Sequence, residues 1–225
     1  MYIGENVNLS VYSLSSYTNV KVITLPLHLT SIPNYNFYIT YPLCIVIPRG
    51  ITTIGSNTIN SVGSYANQYH LPICLPETIN TINSNSLFRS TYSYRIVIPG
   101  RLTTINANVG AECEKGVRLF FPSTVVSFGD GALSNWPRLR MIDVSNVKTY
   151  GTYAFQNMYS LKKIKLSEKA TTIGNYFGYC CQAEEIILPA TLTTIGSNFL
   201  YNAYNVKRLI IKGTFSSRPS ISGKV

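Results

Sequence analysis

Apolar positions recur along this chain in one small pattern, L-x-x-I-x-L, followed by a Pro step, a Thr-Thr-Ile corner and a Gly or Asn. The pattern is plain at Leu139, Ile142, Val144 and at Leu161, Ile164, Leu166, and it returns as Ala183, Ile186, Leu188 and as Val206, Leu209, Ile211. Its last two apolar residues stand two positions apart, which is the period of a short strand with one buried face. About ten residues on comes a second apolar column: Ile32, Ile54, Ile82, Ile105, Phe128, Tyr150, Ile173 and Ile195. A third follows five residues later in most units, as Leu87, Leu133, Phe155 and Leu200.

Aligned on the Pro step, the units begin at Pro26, Pro48, Pro76, Pro99, Pro122, Ser145, Ser167, Pro189 and Lys212, so the intervals are 22 or 23 with a single 28. The long interval absorbs an insertion, "NSVGSYANQYH" (Asn60 to His70). A unit this short cannot bury its apolar face alone, so neighbours must stack into a solenoid. The predicted fold is a mostly β repeat solenoid, a right-handed leucine-rich-repeat coil or horseshoe. It has one parallel sheet of about nine short strands, on the order of 40 Å long, and few helices. Residues 20–213 form the array, 1–19 a partial N-terminal repeat and 214–225 a tail. The first unit starts mid-coil and the last stops soon after its strand, which suggests further repeats or flanking domains in a longer chain.

The residue after the second Ile is Gly4, Gly55, Asn83, Asn106, Gly129, Gly151, Gly174 or Gly196, with Pro33 as the exception. Gly and Asn tolerate positive φ, so a left-handed turn is expected there in every coil. Two positions on, Asn6, Asn57, Asn85, Asn108 and Asn198 align, and stacked amides and Thr-Thr pairs are expected to hydrogen-bond along the array.

The motif L-x-x-I-x-L-P-x-x-L-T-T-I-G-x-N-x-F resembles the BspA-like leucine-rich repeats, whose coils end A-F-x-x-C-x-x-L. "YAFQNMYSL" (Tyr153 to Leu161) fits that ending with Met158 in the Cys place, and "YFGYCCQA" and "NVGAECEKG" put Cys180 and Cys113 there. The resemblance covers nearly the whole chain. It implies a curved solenoid, extracellular or on a cell surface, of a kind found in bacteria, protozoa and some phage and secreted proteins, and working in adhesion. It also implies that Cys180 and Cys113 point inward as structural thiols.

Composition narrows the function classes. Apolar residues make up 45% of the 225, enough for a continuous core, while charged residues are only 12%. Net charge is +10, and it is concentrated: residues 1–137 hold 7 basic and 5 acidic side chains, 138–225 hold 12 and 4. A basic end attracts polyanions or presents a solvated face. The N-terminal residues lack the basic and apolar regions of a signal peptide, and no apolar run suits a membrane span. Five cysteines without a C-x-x-C pair argue against a disulfide framework and a zinc site of ordinary spacing. Only His28 and His70 are present, neither beside a nucleophile or acid by spacing. His70 and Cys74 on one strand would lie more than about 10 Å apart by rise. No catalytic group, metal or cofactor is therefore expected.

The outward strand positions supply the candidate site. One column runs Thr24, Val46, Cys74, Val97, Phe120, Asp143, Lys165, Ile187, Ile210, with an apolar middle. That middle is a contact stripe around Val97 and Phe120 or β-branched filler. The neighbouring column sets Arg95 beside Arg118, an unfavourable opposition unless an anion sits between them, and places Lys163, Glu185 and Arg208 in alternating sign. With Lys162, Lys163 and Lys165, one strand is wholly basic outside. Tyrosines among Ser, Asn and Gly have the composition of recognition loops: Tyr65 and Tyr69, Tyr92 and Tyr94, Tyr201 and Tyr204. Some of these rings are expected to pack beneath loops instead. The resulting expectation is a non-enzymatic adhesion module. It would bind a host or cell-surface protein or glycan through Val97, Phe120, Tyr94, Arg95, Arg118, Lys163, Lys165 and the tyrosine loops. An electrostatic binder of anionic polymer (sulfated glycan, lipopolysaccharide or nucleic acid) and a structural spacer of a surface or phage fibre are the alternatives.

Overall fold

The computed structural model describes residues 22–34, 44–58, 75–87, 95–98, 100–113 and 116–213. The expected partial repeat 1–19, the tail 214–225 and Tyr65, Tyr69, Tyr92 and Tyr94 lie outside these residues. The described chain is a β-solenoid, built of parallel strands and turns and without a helix.

The L-x-x-I-x-L segments form the predicted strands: β1 (Val22–Thr24), β3 (Cys44–Val46), β6 (Arg95–Val97), β8 (Arg118–Phe120), β10 (Met141–Ile142), β12 (Lys163–Lys165), β14 (Glu185–Leu188) and β16 (Arg208–Ile211). They pair in parallel as β1-β3, β6-β8-β10 and β12-β14-β16. The register matches the aligned columns: Val97 stands beside Phe120, and Lys163 beside Glu185 and through it Arg208.

A second parallel sheet departs from the single sheet predicted. The Thr-Ile steps are themselves two-residue strands: β2 (Ser31–Ile32), β4 (Thr53–Ile54), β5 (Thr81–Ile82), β7 (Thr104–Ile105), β9 (Ser127–Phe128), β11 (Thr149–Tyr150), β13 (Thr172–Ile173) and β15 (Thr194–Ile195). They pair as β2-β4-β5 and β7-β9-β11-β13-β15. The glycine after each step continues this ladder. The N–H of Gly151 donates to the Phe128 carbonyl at 2.9 Å, and that of Gly174 to Tyr150 at 2.7 Å. Where Asn106 replaces glycine the two runs of the sheet separate, and its side-chain amide reaches the Ile82 carbonyl instead (2.7 Å). Threonines reinforce the edge as expected: Thr52 Oγ1 donates to the Thr30 carbonyl, and Thr193 Oγ1 to that of Thr171.

These glycines do not carry the left-handed turn predicted for them; positive φ falls two residues later, at Asn57, Asn85, Asn108, Gly131, Tyr153, Tyr176 and Asn198. It recurs at alternate positions beyond, as in Gly131, Leu133, Asn135 and Tyr153, Phe155, Asn157. The glycine at the Thr-Ile corner is required for another reason. A Cβ on Gly151 would lie 2.5 Å from the Gly129 carbonyl carbon of the preceding coil, so only glycine lets the backbones stack that closely. The stacked side-chain ladder runs one residue before the aligned asparagines: Asn34, Asp130 and Asn175 accept the backbone N–H of Ser56, Thr152 and Ser197 at 2.7, 2.7 and 2.8 Å.

Inward columns from all three sides merge into one continuous core. Its middle is aromatic: Phe128, Tyr150, Phe155 and Phe177 meet at ring-centroid distances of 5.3–6.3 Å, mostly edge-on or tilted. Ile195, in the last described coil, is only partly buried because no described coil covers it. Cys113 is fully buried as predicted, but Cys180 is not the inward thiol of its coil. Cys180 takes the left-handed position equivalent to Asn157 and is half-exposed, while Cys181 fills the place of Met158. This coil is one residue shorter than its predecessor after the buried thiol, so counting back from Ala183 lands one position early. Burial pushes the Cys181 thiol up to about 11.

Candidate functional site

The strand face presents what the outward columns predicted. Val97 and Phe120 are neighbours on adjacent strands and remain 41% and 45% exposed, with Val46 in the same column also exposed. Met141, from the column of Arg118, was not among the residues that sequence reasoning assigned to the site. It stands beside Arg118 in the ladder, two residues diagonal to Phe120 on the same face, and at 64% is one of the most exposed apolar side chains. Alternating strand geometry aims these side chains away from the core while Leu119 and Ile142 point into it. The backbones of Arg95 and Arg118 are register neighbours as predicted, and the Arg118 side chain is exposed.

Toward the C-terminal coils the same face changes character. Glu185 lies between Lys163 (2.6 Å) and Arg208 (3.6 Å), and Glu184 between Lys162 (3.2 Å) and Lys207 (2.9 Å). Lys212 pairs with Glu168 at 2.5 Å. Hydrogen bonds from these lysines hold all three carboxyls below the usual range, led by Lys207 for Glu184, Lys163 for Glu185 and Lys212 for Glu168. The alternating signs read from the sequence are therefore a set of cross-strand ion pairs, and the basic end is partly self-neutralised. Lys165 is exposed next to this network and acts on Glu168 through space.

The third side of the coil, between the Thr-Ile corner and the next strand, carries the tyrosines. Tyr201 and Tyr204 are exposed, as the loop composition predicted, and Tyr204 donates to Asn202 Oδ1 at 2.7 Å. Sequence reasoning missed their companions. Tyr153 stacks on Tyr176 (4.9 Å between centroids, 14° between planes) and Tyr179 on Tyr201 (5.8 Å, 4°), with edge contacts joining the two pairs. The signal was present: Tyr153 and Tyr176, like Tyr179 and Tyr201, are one repeat apart. The hydrogen bond with the Cys180 thiol is the largest of the effects that raise the Tyr179 phenol above its ordinary value.

A model of the BspA type leucine-rich repeat region matches residues 3–66 and 80–207 in six copies. The chain belongs to the BspA-type leucine-rich repeat family. The unmatched stretch between the two runs takes in part of the insertion that lengthens one repeat. Two solved structures share the fold. One is a leucine-rich cell surface protein from Faecalibacterium prausnitzii A2-165, with TM-score 0.51 and 18% identity over 86% of this chain and 60% of that one. The other is a leucine-rich repeat protein from Eubacterium ventriosum ATCC 27560, with TM-score 0.52 and 20% identity over 89% of this chain and 62% of that one. The chain thus spans about three fifths of the length of these structures. No curated protein matches it. Among the described residues of this BspA-type solenoid, no helix is long and apolar enough to cross a membrane. No three His, Cys, Asp or Glu side chains among them are grouped to hold a metal.

Proposed function

We propose that this BspA-type solenoid is a non-enzymatic recognition module of the cell-surface, adhesive kind, and that its strand face engages a protein partner. The observation that carries the reading is the exposed patch of Val97, Phe120 and Met141 on three paired strands, with the strand of Phe120 held between the other two. A rigid apolar patch beside Arg118 has the make-up of an interface centre, where aromatic, Met and Arg side chains carry most of the affinity. The cell-surface protein that shares the fold supports the setting. Ion pairing of Lys162, Lys163, Lys207 and Arg208 with Glu184 and Glu185 favours this reading over general binding of an anionic polymer.

The test is retention of the chain on a panel of immobilised host matrix proteins and on heparin, at low and then moderate salt. A panel protein that holds the chain through the salt step, and loses it on substitution Phe120→Ser with Val97→Ser, is the expected outcome. Undiminished retention of that double variant would remove the strand face from the interaction. Retention on heparin alone, lost with salt, would make the polyanion reading the better one.

A further inference from the structure

On the third side of the solenoid, away from both sheets, lies a cavity of about 320 Å³. It is assembled from residues of four successive coils, so no local stretch of sequence announces it. Its size is at the low end of small-molecule sites, but its walls are unlike a usual apolar pocket. Asn108, Glu112, Asp130, Asn135 and Gln156 line it together with Tyr153. Among the described residues no Lys, Arg or His lines it, in a chain with net charge +10, and no Leu, Ile or Val does either.

We propose that this cavity binds a neutral oligosaccharide, with one sugar inside it and the chain continuing over the tyrosine stack. The inference goes beyond the strand-face reading and stands on different residues. A carboxylate accepts two hydroxyl protons, and a primary amide both donates and accepts, so this wall matches the paired donors and acceptors of a sugar ring. The described lining residues include two carboxylates and no cation, which disfavours an anionic ligand, and the polar walls disfavour an apolar one. The polar groups are held in place before any ligand arrives. One Asp130 oxygen accepts the Thr152 N–H at 2.7 Å, and Asn135 Oδ1 accepts from Asn157 Nδ2 at 2.5 Å, leaving the second carboxylate oxygen and the amide NH₂ to offer. Gly131, with φ of 62°, keeps the floor open, since a Cβ there would collide with Asn108 Oδ1.

Tyr153 sets the direction of the chain. It lines the cavity and also begins the stack that passes to Tyr176 and on through Tyr179 to Tyr201. Aromatic surface covers the apolar face of a sugar ring while the hydroxyls at its edge reach polar neighbours, and the rings here are already ordered against each other.

The test uses the full chain and titrates cellotetraose, mannotetraose and chitotetraose by calorimetry, with tetragalacturonate as the charged control, in EDTA and in calcium. Two substitutions are chosen to preserve the fold. Asp130→Asn keeps the acceptor for Thr152 and reproduces the residue found at Asn34 and Asn175. Tyr153→Asn puts at a left-handed position the residue that holds it at Asn57, Asn85, Asn108 and Asn198. Binding of at least one neutral tetrasaccharide in EDTA is expected, weakened about tenfold by either substitution, as for one lost charge-assisted hydrogen bond or one lost stacking surface. Phe120→Ser should leave it unchanged, which separates this site from the strand face. No neutral binding, equal binding of tetragalacturonate, or binding seen only with calcium would each overturn the proposal, the last by handing the carboxylates to a cation.

Discussion

Each coil has two corners that look alike in sequence, and the structure shows that glycine and asparagine are there for opposite reasons. At the Thr-Ile corner φ is ordinary, and glycine is needed because successive backbones stack closely; beside Gly151, Gly174 and Gly196 a Cβ would come within 2.4–2.5 Å of a preceding backbone atom. At the tyrosine corner φ is 53–62° in coil after coil, and the residue is Asn, Gly or Tyr, because what must be met is a conformation and not a clearance. Left-handed backbone costs an ordinary L-residue about 1–2 kcal/mol. The solenoid accepts that cost even at buried Leu133, Phe155 and Leu200, where burial of the side chain offsets it.

The largest effect should come from the clearance corner. Gly151→Ala places a methyl against the Gly129 carbonyl group of the neighbouring coil, where backbone and not a movable side chain must yield. A loss of about 3 kcal/mol is expected, at the upper part of the range for overpacking. Chemical denaturation followed by circular dichroism measures it. A loss below about 0.5 kcal/mol, the scale of an ordinary surface change, would mean the coils separate easily and the distinction between the corners fails.

The conformational corner should respond in a different order. Asn57 has φ of 56° and is only partly buried, so the backbone requirement can be tested with little change in packing. Asn57→Gly is expected to change stability by less than about 0.5 kcal/mol, because glycine's ease at positive φ is set against its greater freedom in the unfolded chain. Asn57→Ala should cost about 1 kcal/mol. If alanine proved as good as glycine, the left-handed geometry at this corner would not be what selects the residue.

These contrasts explain what was legible in the sequence. The solenoid and its inward columns could be read because burial depends on residue type: Ile32, Ile54, Ile82, Ile105, Phe128, Tyr150 and Ile173 are all buried where the period puts them. The outward strand column was legible for the same reason, since strand alternation makes Val97 and Phe120 face out once Leu119 faces in. The second sheet was not, because two-residue strands are too short to show alternation. Nor was the left-handed corner, where Leu133, Tyr153 and Phe155 carry no mark of positive φ. The tyrosine stack and the polar cavity join residues about one repeat apart, and their partnership depends on the lateral placement of coils that a linear pattern leaves open. One cysteine pair went astray by a single position for the same lack of a landmark.

That pair gives the smallest and most local test of the two environments. Cys180 stands in the left-handed column with Asn135, Asn157 and Asn202, whereas its neighbour Cys181 is buried and has a thiol pushed up to about 11. At pH 8 only roughly one thousandth of such a thiol is ionised, and the reactive species is the thiolate. Iodoacetamide applied to the native chain should therefore modify Cys180 well before Cys181, with peptide mass spectrometry assigning the sites. Cys181 should react on the same timescale only in denaturant. Cys180→Asn should stabilise the chain slightly, by about 0.5 kcal/mol, because Asn is enriched at positive φ and already fills this column in three coils. Faster native labelling of Cys181 than of Cys180 would return the inward position to Cys180 and move the register of that coil by one residue.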